Sequence, residues 1–182
     1  MVKTKTSNKQ RIIILVEGGL MVALAFILSQ FKLFEMPQGG SINLTGLPLV
    51  IYAYRRGWIN GVFAGVVFGV LHFLLDPHHV FHPVSILGDY VVSYAVIGIV
   101  GFSFAKGLIG SCAKVILAYA VRFITGTVSG VVVFYMYAAE GQSVWAYSTI
   151  YNSYVFIEGA LVAVVFGLLY KTVLKRIPTE FN

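Results

Sequence analysis

An all-α integral membrane protein, with six transmembrane helices and both termini on the inner side, is the fold this sequence predicts. Three observations predict it. The 182 residues are 58% hydrophobic and only 11% charged, whereas a soluble domain is roughly 45–50% apolar and about 25% charged. Mean hydropathy is +0.85, and several apolar runs approach the roughly 20 residues that cross a bilayer as a helix. Once those runs are laid out, the basic residues fall almost entirely on one side, as cytoplasmic bases do. Residues 1–182 read as a single transmembrane domain.

The first span runs from Ile12 to Phe31. It is long and has no small-residue cleavage site, so it does not read as a signal peptide. The second, Ile42 to Tyr54, contains Pro48; it rises only about 20 Å as a helix and is marginal alone. The third covers Trp58 to Leu75 and the fourth Val84 to Phe104. The fifth occupies Ala113 to Tyr137 and the sixth Ser148 to Leu174.

With the N-terminus inside, the inner face receives Lys3, Lys5, Lys9, Arg11, Arg55, Arg56, Lys106, Lys114, Lys171, Lys175 and Arg176. Lys32 is the one clear outer base, and Arg122 lies within a span. Reversing the chain would reverse that imbalance, so the N-in, C-in arrangement is preferred. The net charge of +6 then reflects inner loops and does not point to nucleic acid. An integral membrane location is expected. Cys112 is the only cysteine and reads as apolar packing.

This orientation puts three polar connections outside: "FEMPQGGS", "DPHHVFHP" and "EGQSVWAYSTIYN". The inner connections are short and basic, so recognition chemistry is expected to face outward. No P-loop, HExxH or Ser-His-Asp pattern is present, which argues against ATP hydrolysis by this chain and against a familiar hydrolytic site. His72, His78, His79 and His82 suggest a metal at first sight. They lack companion ligands at fixed helical spacing, apart from Asp76 at the edge, and read instead as a solvated outer loop. No metal or other cofactor is called for.

Ionisable residues inside spans are costly and mark function by default. Four qualify: Glu17, Asp89, Arg122 and Glu158. Glu17 is close enough to the inner end to reach the interface or pair with a base there. Asp89 follows Pro83 by six residues, which places it on the order of 9 Å below the outer surface. Ser85 stands one turn before it, and a carboxylate there can hold a cation arriving from outside. Arg122, Gly126, Gly130 and Phe134 are each four apart and share one helix face. The two glycines leave room either for a neighbouring helix or for a flat ligand beneath an aromatic ring. By depth, Glu158 is the expected ion-pair partner of Arg122.

The stretch "EGQSVWAYSTIYN" gathers Trp145, Tyr147 and Tyr151 with Gln142, Ser143 and Asn152. An aromatic belt at the membrane interface accounts for Trp145 readily and Tyr147 in part. It does not account for Asn152, which enters the sixth span one turn after Ser148. Rings for cation–π contact, an amide and hydroxyls for orientation, and one carboxylate are what a pocket for a heteroaromatic cation needs.

In these stretches the chain resembles the thiamine-specific substrate-binding subunit, or S component, of energy-coupling factor (ECF) vitamin transporters, the ThiT family. The resemblance covers nearly the whole chain. It rests on the order and spacing of "MPQGGS" at 36–41, "DY" at 89–90, "SG" with a phenylalanine four residues later at 129–134, and "VWAYSTIYN" at 144–152. It implies that Asp89 and Tyr90 are the acidic–aromatic pair that contacts the vitamin, and that Gly130 and Phe134 flank it. Tyr147 and Asn152 are implied as the polar pair from the last outer loop and sixth helix, with Trp145 beside them. Met36, Pro37, Gln38, Gly39 and Gly40 match an outer loop that closes over the ligand. Arg122 falls where the family often has a basic residue below the pocket. Two departures stand out: the family's histidine one turn before the glycine is Gly126 here, and the acidic residue, glutamate in some members, is Asp89.

Gly19 and Ala23 form a small-xxx-small pair on the first span, widened by Gly18, a surface for close helix approach. The resemblance implies that this surface docks the transmembrane coupling subunit, which works with two ATPase subunits. High-affinity thiamine capture for ATP-driven import is thus the expected function, without enzymatic activity of its own. Its alternatives are an S component for the hydroxymethylpyrimidine precursor or another vitamin, and a stand-alone ion-coupled transporter. The last of these would predict internal repeats, which are not evident. An intramembrane enzyme built on Asp89 lacks a second catalytic group at useful spacing.

Overall fold

In the bilayer every backbone group must be satisfied within the chain, which leaves helices as the natural solution for these apolar runs. The computed structural model describes residues 8–37, 40–75 and 82–172. Among these, five helices are long and apolar enough to cross a membrane. They are α1 (Asn8–Ser29), α2 (Gly46–Leu75), α3 (Pro83–Gly101), α4 (Gly107–Val133) and α5 (Val144–Thr172). A two-residue antiparallel ladder between β1 (Phe34–Glu35) and β2 (Ser41–Ile42) ties the base of the loop after α1.

The sequence predicts two spans where α2 runs. The reason is visible at Gly57, whose backbone is non-helical at φ 83°, ψ 172°. That left-handed conformation is open to glycine without steric cost. A Cβ added at Gly61 would fall 2.5 Å from the Cβ of Ala53. Residues eight apart in a straight helix are separated by about 12 Å, so the chain folds back at Gly57. The short arm, 46–56, opens on an Asx turn in which Asn43 Oδ1 accepts the Thr45 N–H at 2.9 Å.

α3 is the least regular span. It starts with Pro83 at its first turn, and His82 Nδ1 accepts the Val84 N–H at 3.2 Å. A wide π-helical turn occupies Ile86–Val92, and Val96–Gly101 tightens to a 3₁₀ helix. π-turns of this kind recur at functional sites, and this one carries Asp89 and Tyr90. The second arm of α2 lies against it in backbone contact: a Cβ at Gly69 would sit 2.8 Å from the Tyr90 carbonyl carbon. α5 breaks at Ser153, which separates Val144–Asn152 from Tyr154–Thr172.

The core is built from all five helices, through Ala25, Leu49, Val50, Phe68, Ile97, Val115, Tyr119, Val162 and Phe166. Leu15, Leu20, Phe63, Ile124, Val164 and Leu168 are exposed on the outer surface. Apolar inside and outside is the arrangement lipid requires.

The end of the molecule that carries Gly57 is held by charge. Glu17 of α1 accepts from Arg56 Nε at 2.8 Å and is also paired with Arg55. Glu17 is therefore a structural carboxylate paired with nearby bases, the plainer of its two sequence readings. Gly18 does not widen the α1 surface as expected, because it is buried against the Tyr52 ring, 3.0 Å from an added Cβ. Gly19 has nothing within 4 Å of such a Cβ, and it is exposed together with Ala23.

Candidate ligand-binding cavity

At the opposite end, α2 to α5 and the strand β2 enclose a cleft with about 950 Å³ of empty space out to its open mouth. Small-molecule sites are concave and lined by apolar and aromatic side chains with a few convergent polar groups. Asp89, Tyr90, Arg122, Gly126, Gly130, Phe134, Tyr147 and Asn152 all line it. Eight of the nine residues predicted to bind ligand thus meet in one place.

Asp89 is the carboxylate of the wall. Ser85 donates to its Oδ2 at 2.7 Å and Ser129 donates to the same oxygen at 2.8 Å. One serine stands a turn earlier on α3 and the other comes from α4, so the group is fixed from two helices. Among the described residues Asp89 forms no ion pair. Arg122, which lines the same cleft, is committed elsewhere: its Nη1 donates to Glu158 Oε2 at 2.9 Å. This is the pairing expected from depth. The guanidinium also lies over the Tyr94 ring, 4.7 Å from its centroid, and Tyr119 Oη is 3.4 Å from Glu158 Oε1. The floor of the cleft is charged but internally neutralised.

The glycine face of α4 serves close packing as well as the cleft. A Cβ at Gly126 would fall 2.7 Å from Asn152 Oδ1, and one at Gly130 would collide with the Ser148 hydroxyl. Ser148 Oγ donates to Thr127 O at 2.7 Å, and Asn152 Nδ2 donates to Ser148 O at 2.9 Å. The first turns of α5 therefore lie against α4 where a larger residue would stand. Asn152 Oδ1 occupies the space next to position 126, one turn below Gly130.

On α5, Tyr147, Ser148, Tyr151 and Asn152 share the inward face, at spacings of one, four and five residues. Tyr147 and Tyr151 stack with centroids 6.0 Å apart. The Tyr147 hydroxyl is buried with no hydrogen-bond partner among the described residues, a polar handle available to a ligand. Trp145 is a correction. It is 57% exposed and does not line the cleft, because two residues along a helix turn it about 200° from Tyr147.

The loop after α1 meets the site at its base. Gly40 lines the cleft, and its N–H donates to Tyr151 Oη at 3.2 Å. Met36 and Pro37 lie beyond the lining, with Met36 N–H donating to Gly40 O at 2.6 Å. Gln38 and Gly39 lie outside the described residues, as do Asp76, His78 and His79. His72 is a second correction. It is buried in α2 at 9% exposure, stacked on Phe68 at 5.3 Å, and lines the cleft. Tyr94, Ser93, Tyr154 and Asn43 also line it without having been anticipated. For Ser93 and Tyr94 a signal existed, since they stand four residues beyond Asp89 and Tyr90 and repeat that pair's polar–aromatic order.

A profile of the thiamine transporter protein family (Thia_YuaJ) matches residues 15–177. The chain belongs to this family. Among its relatives is the thiamine transporter ThiT of Bacillus subtilis (strain 168), 29% identical over 181 residues that cover 91% of this chain and 94% of the relative. The ThiT of Lacticaseibacillus paracasei is 28% identical, covering 80% of this chain and 79% of its own. Among solved structures, ThiT from Listeria monocytogenes superposes with a TM-score of 0.81 at 26% identity, over 91% of this chain and 97% of that one. The S component of a bacterial ECF transporter superposes at 0.67 with 19% identity, over 91% and 98%, and so shares the fold. A member of this family with five helices long and apolar enough to cross a membrane is a multi-pass membrane protein, and its aromatic cleft carries one carboxylate that forms no ion pair among the described residues.

Proposed function

We propose that this chain is the thiamine-binding S component of an ECF-type importer in the bacterial plasma membrane. It captures thiamine from outside with high affinity, while a transmembrane coupling subunit and two ATPase subunits drive import. Breaking α2 at Gly57 gives six membrane segments, and the basic residues at the Gly57 end orient them N-in and C-in. The observation that carries the reading is Asp89, a carboxylate held by two serines in a cleft of rings. Thiamine bears a permanent positive charge, and a charge leaving water needs a countercharge.

Asp89 takes the role of anionic anchor, Tyr90 and Phe134 supply ring contact, and Tyr147 and Asn152 orient the polar edge. Gly126 and Gly130 keep the α4 side flat. Met36 to Gly40 act as the closing loop, and Gly19 with Ala23 as the face toward the coupling subunit. Arg122 holds the floor through Glu158 and is not itself asked to touch a cation.

Titration calorimetry on purified, ligand-free protein tests the assignment. Saturable binding of thiamine at micromolar or lower concentration is expected, with weaker binding of hydroxymethylpyrimidine alone. A folded protein silent to thiamine refutes the assignment. Gly19→Trp or Ala23→Trp should abolish uptake in cells and leave thiamine affinity of the isolated subunit intact, because bulk there holds a partner helix away.

A further inference from the structure

A second cleft lies at the Gly57 end, away from the ligand cavity. It holds about 450 Å³ of empty space out to its mouth, between the 101–107 connection, the start of α4, and Tyr54 and Tyr170. Gly107, Ser111 and Lys114 of α4 line it; at spacings of four and three residues they form one stripe. Three features converge on it. The N-terminus of α4, a 27-residue helix, has no side-chain cap, its N-cap being Lys106. The charged groups lining it are Lys106 and Lys114, with no carboxylate among the described residues. The Ser111 side chain is 1% exposed, and its hydroxyl has no hydrogen-bond partner among the described residues.

Each alone is unremarkable; together they form a donor set without an acceptor. Lys114 Nζ donates to Phe102 O at 2.7 Å, which anchors the ammonium and leaves two of its three protons. A helix N-terminus presents backbone N–H groups and the positive end of the dipole. A lysine, a hydroxyl and such an N-terminus are the donors that hold a tetrahedral oxyanion.

We infer that this cleft is a phosphate-group site at the inner end of the subunit, built from the α4 N-terminus, Ser111, Lys106 and Lys114. Two sources present that group, inorganic phosphate and the headgroup of an anionic lipid, whose enrichment in the inner leaflet attracts basic segments. The site is independent of the thiamine cavity. Occupying it would cap α4 and fix the 101–107 connection.

The test uses the full chain in a neutral detergent. One arm titrates inorganic phosphate and follows phosphorus-31 linewidth. The other titrates short-chain phosphatidylglycerol against phosphatidylcholine by native mass spectrometry. The expected result is saturable binding in at least one arm, weakened about tenfold by Lys114→Met and severalfold by Ser111→Ala, with thiamine affinity unchanged. Response to phosphate identifies a free-ion site, and response to phosphatidylglycerol alone identifies a headgroup site. If Lys114→Met does not fold, Ser111→Ala and Lys106→Gln decide by the same readout. Binding in neither arm, or binding indifferent to these variants, overturns the inference. So does protection of the Lys114 amine only in the assembled transporter, which would assign the cleft to a carboxylate of a protein partner.

Discussion

Asp89 and Glu158 are two carboxylates within the same bundle, and they are treated in opposite ways. Glu158 is 1% exposed and tied to a guanidinium and a phenol. Asp89 receives two serine hydroxyls on one oxygen and no cation from the described residues. A carboxylate sealed with its counterion is structural. One kept polar by neutral donors and opened to a cleft is the one proposed to meet a ligand's positive charge. The difference teaches that burial alone does not mark a ligand site; the missing countercharge does.

Breaking the sealed pair should have the largest effect. Glu158→Gln leaves Arg122 buried and uncompensated, and should cost about 3–5 kcal/mol of stability, seen as a large fall in thermal unfolding temperature. The double substitution Arg122→Met with Glu158→Leu should recover most of that loss. If Glu158→Gln melts like the wild type, the pair is not what holds the floor.

Next is the open carboxylate. Asp89→Asn keeps the shape and removes the charge, so thiamine affinity should fall about 30-fold, roughly 2 kcal/mol. The unfolding temperature should hardly move, which is the reverse of the Glu158 pattern. Unchanged affinity by calorimetry removes Asp89 from the site.

Phe134→Ala should sharpen the picture of the open region. Stacking of base-like rings is worth about 1–3 kcal/mol, and the half-buried ring belongs at the lower end, near a fivefold loss of affinity. Trp145→Phe belongs to neither region and should change thiamine affinity by less than about twofold. A larger loss would bring Trp145 back to the cavity when ligand is bound.

Much of this was legible beforehand. Each predicted span overlaps a helix, since hydropathy needs no knowledge of neighbours. The ends moved: α1 includes the polar residues 8–11 ahead of Ile12, which continue a helix past the apolar run, and it ends at Ser29, two residues short of Phe31. Of the residues that line the cleft, Arg122, Gly126, Gly130 and Phe134 were grouped by their four-residue spacing on one helix face, whereas those at 89–90 and 147–152 were singled out by residue type and by the family resemblance. Trp145 was misplaced because an aromatic residue near the membrane surface satisfies a belt and a pocket equally well in sequence. His72 was misread by proximity to His78, His79 and His82, although it belongs to the helix before them.

The sequence by itself determined that this chain lives in a bilayer, which residues carry charge into it, and which residues of one helix face the same way. Those properties are local: hydropathy and the 3.6-residue turn act within a single segment. Only the tertiary structure decided which helix faces which. It brought Ser129 to Asp89, gave Arg122 to Glu158, set Asn152 against Gly126 and turned His72 inward. These are contacts between side chains far apart in the chain, selected by the packing of whole helices, and no single segment contains the information that makes one carboxylate closed and the other open.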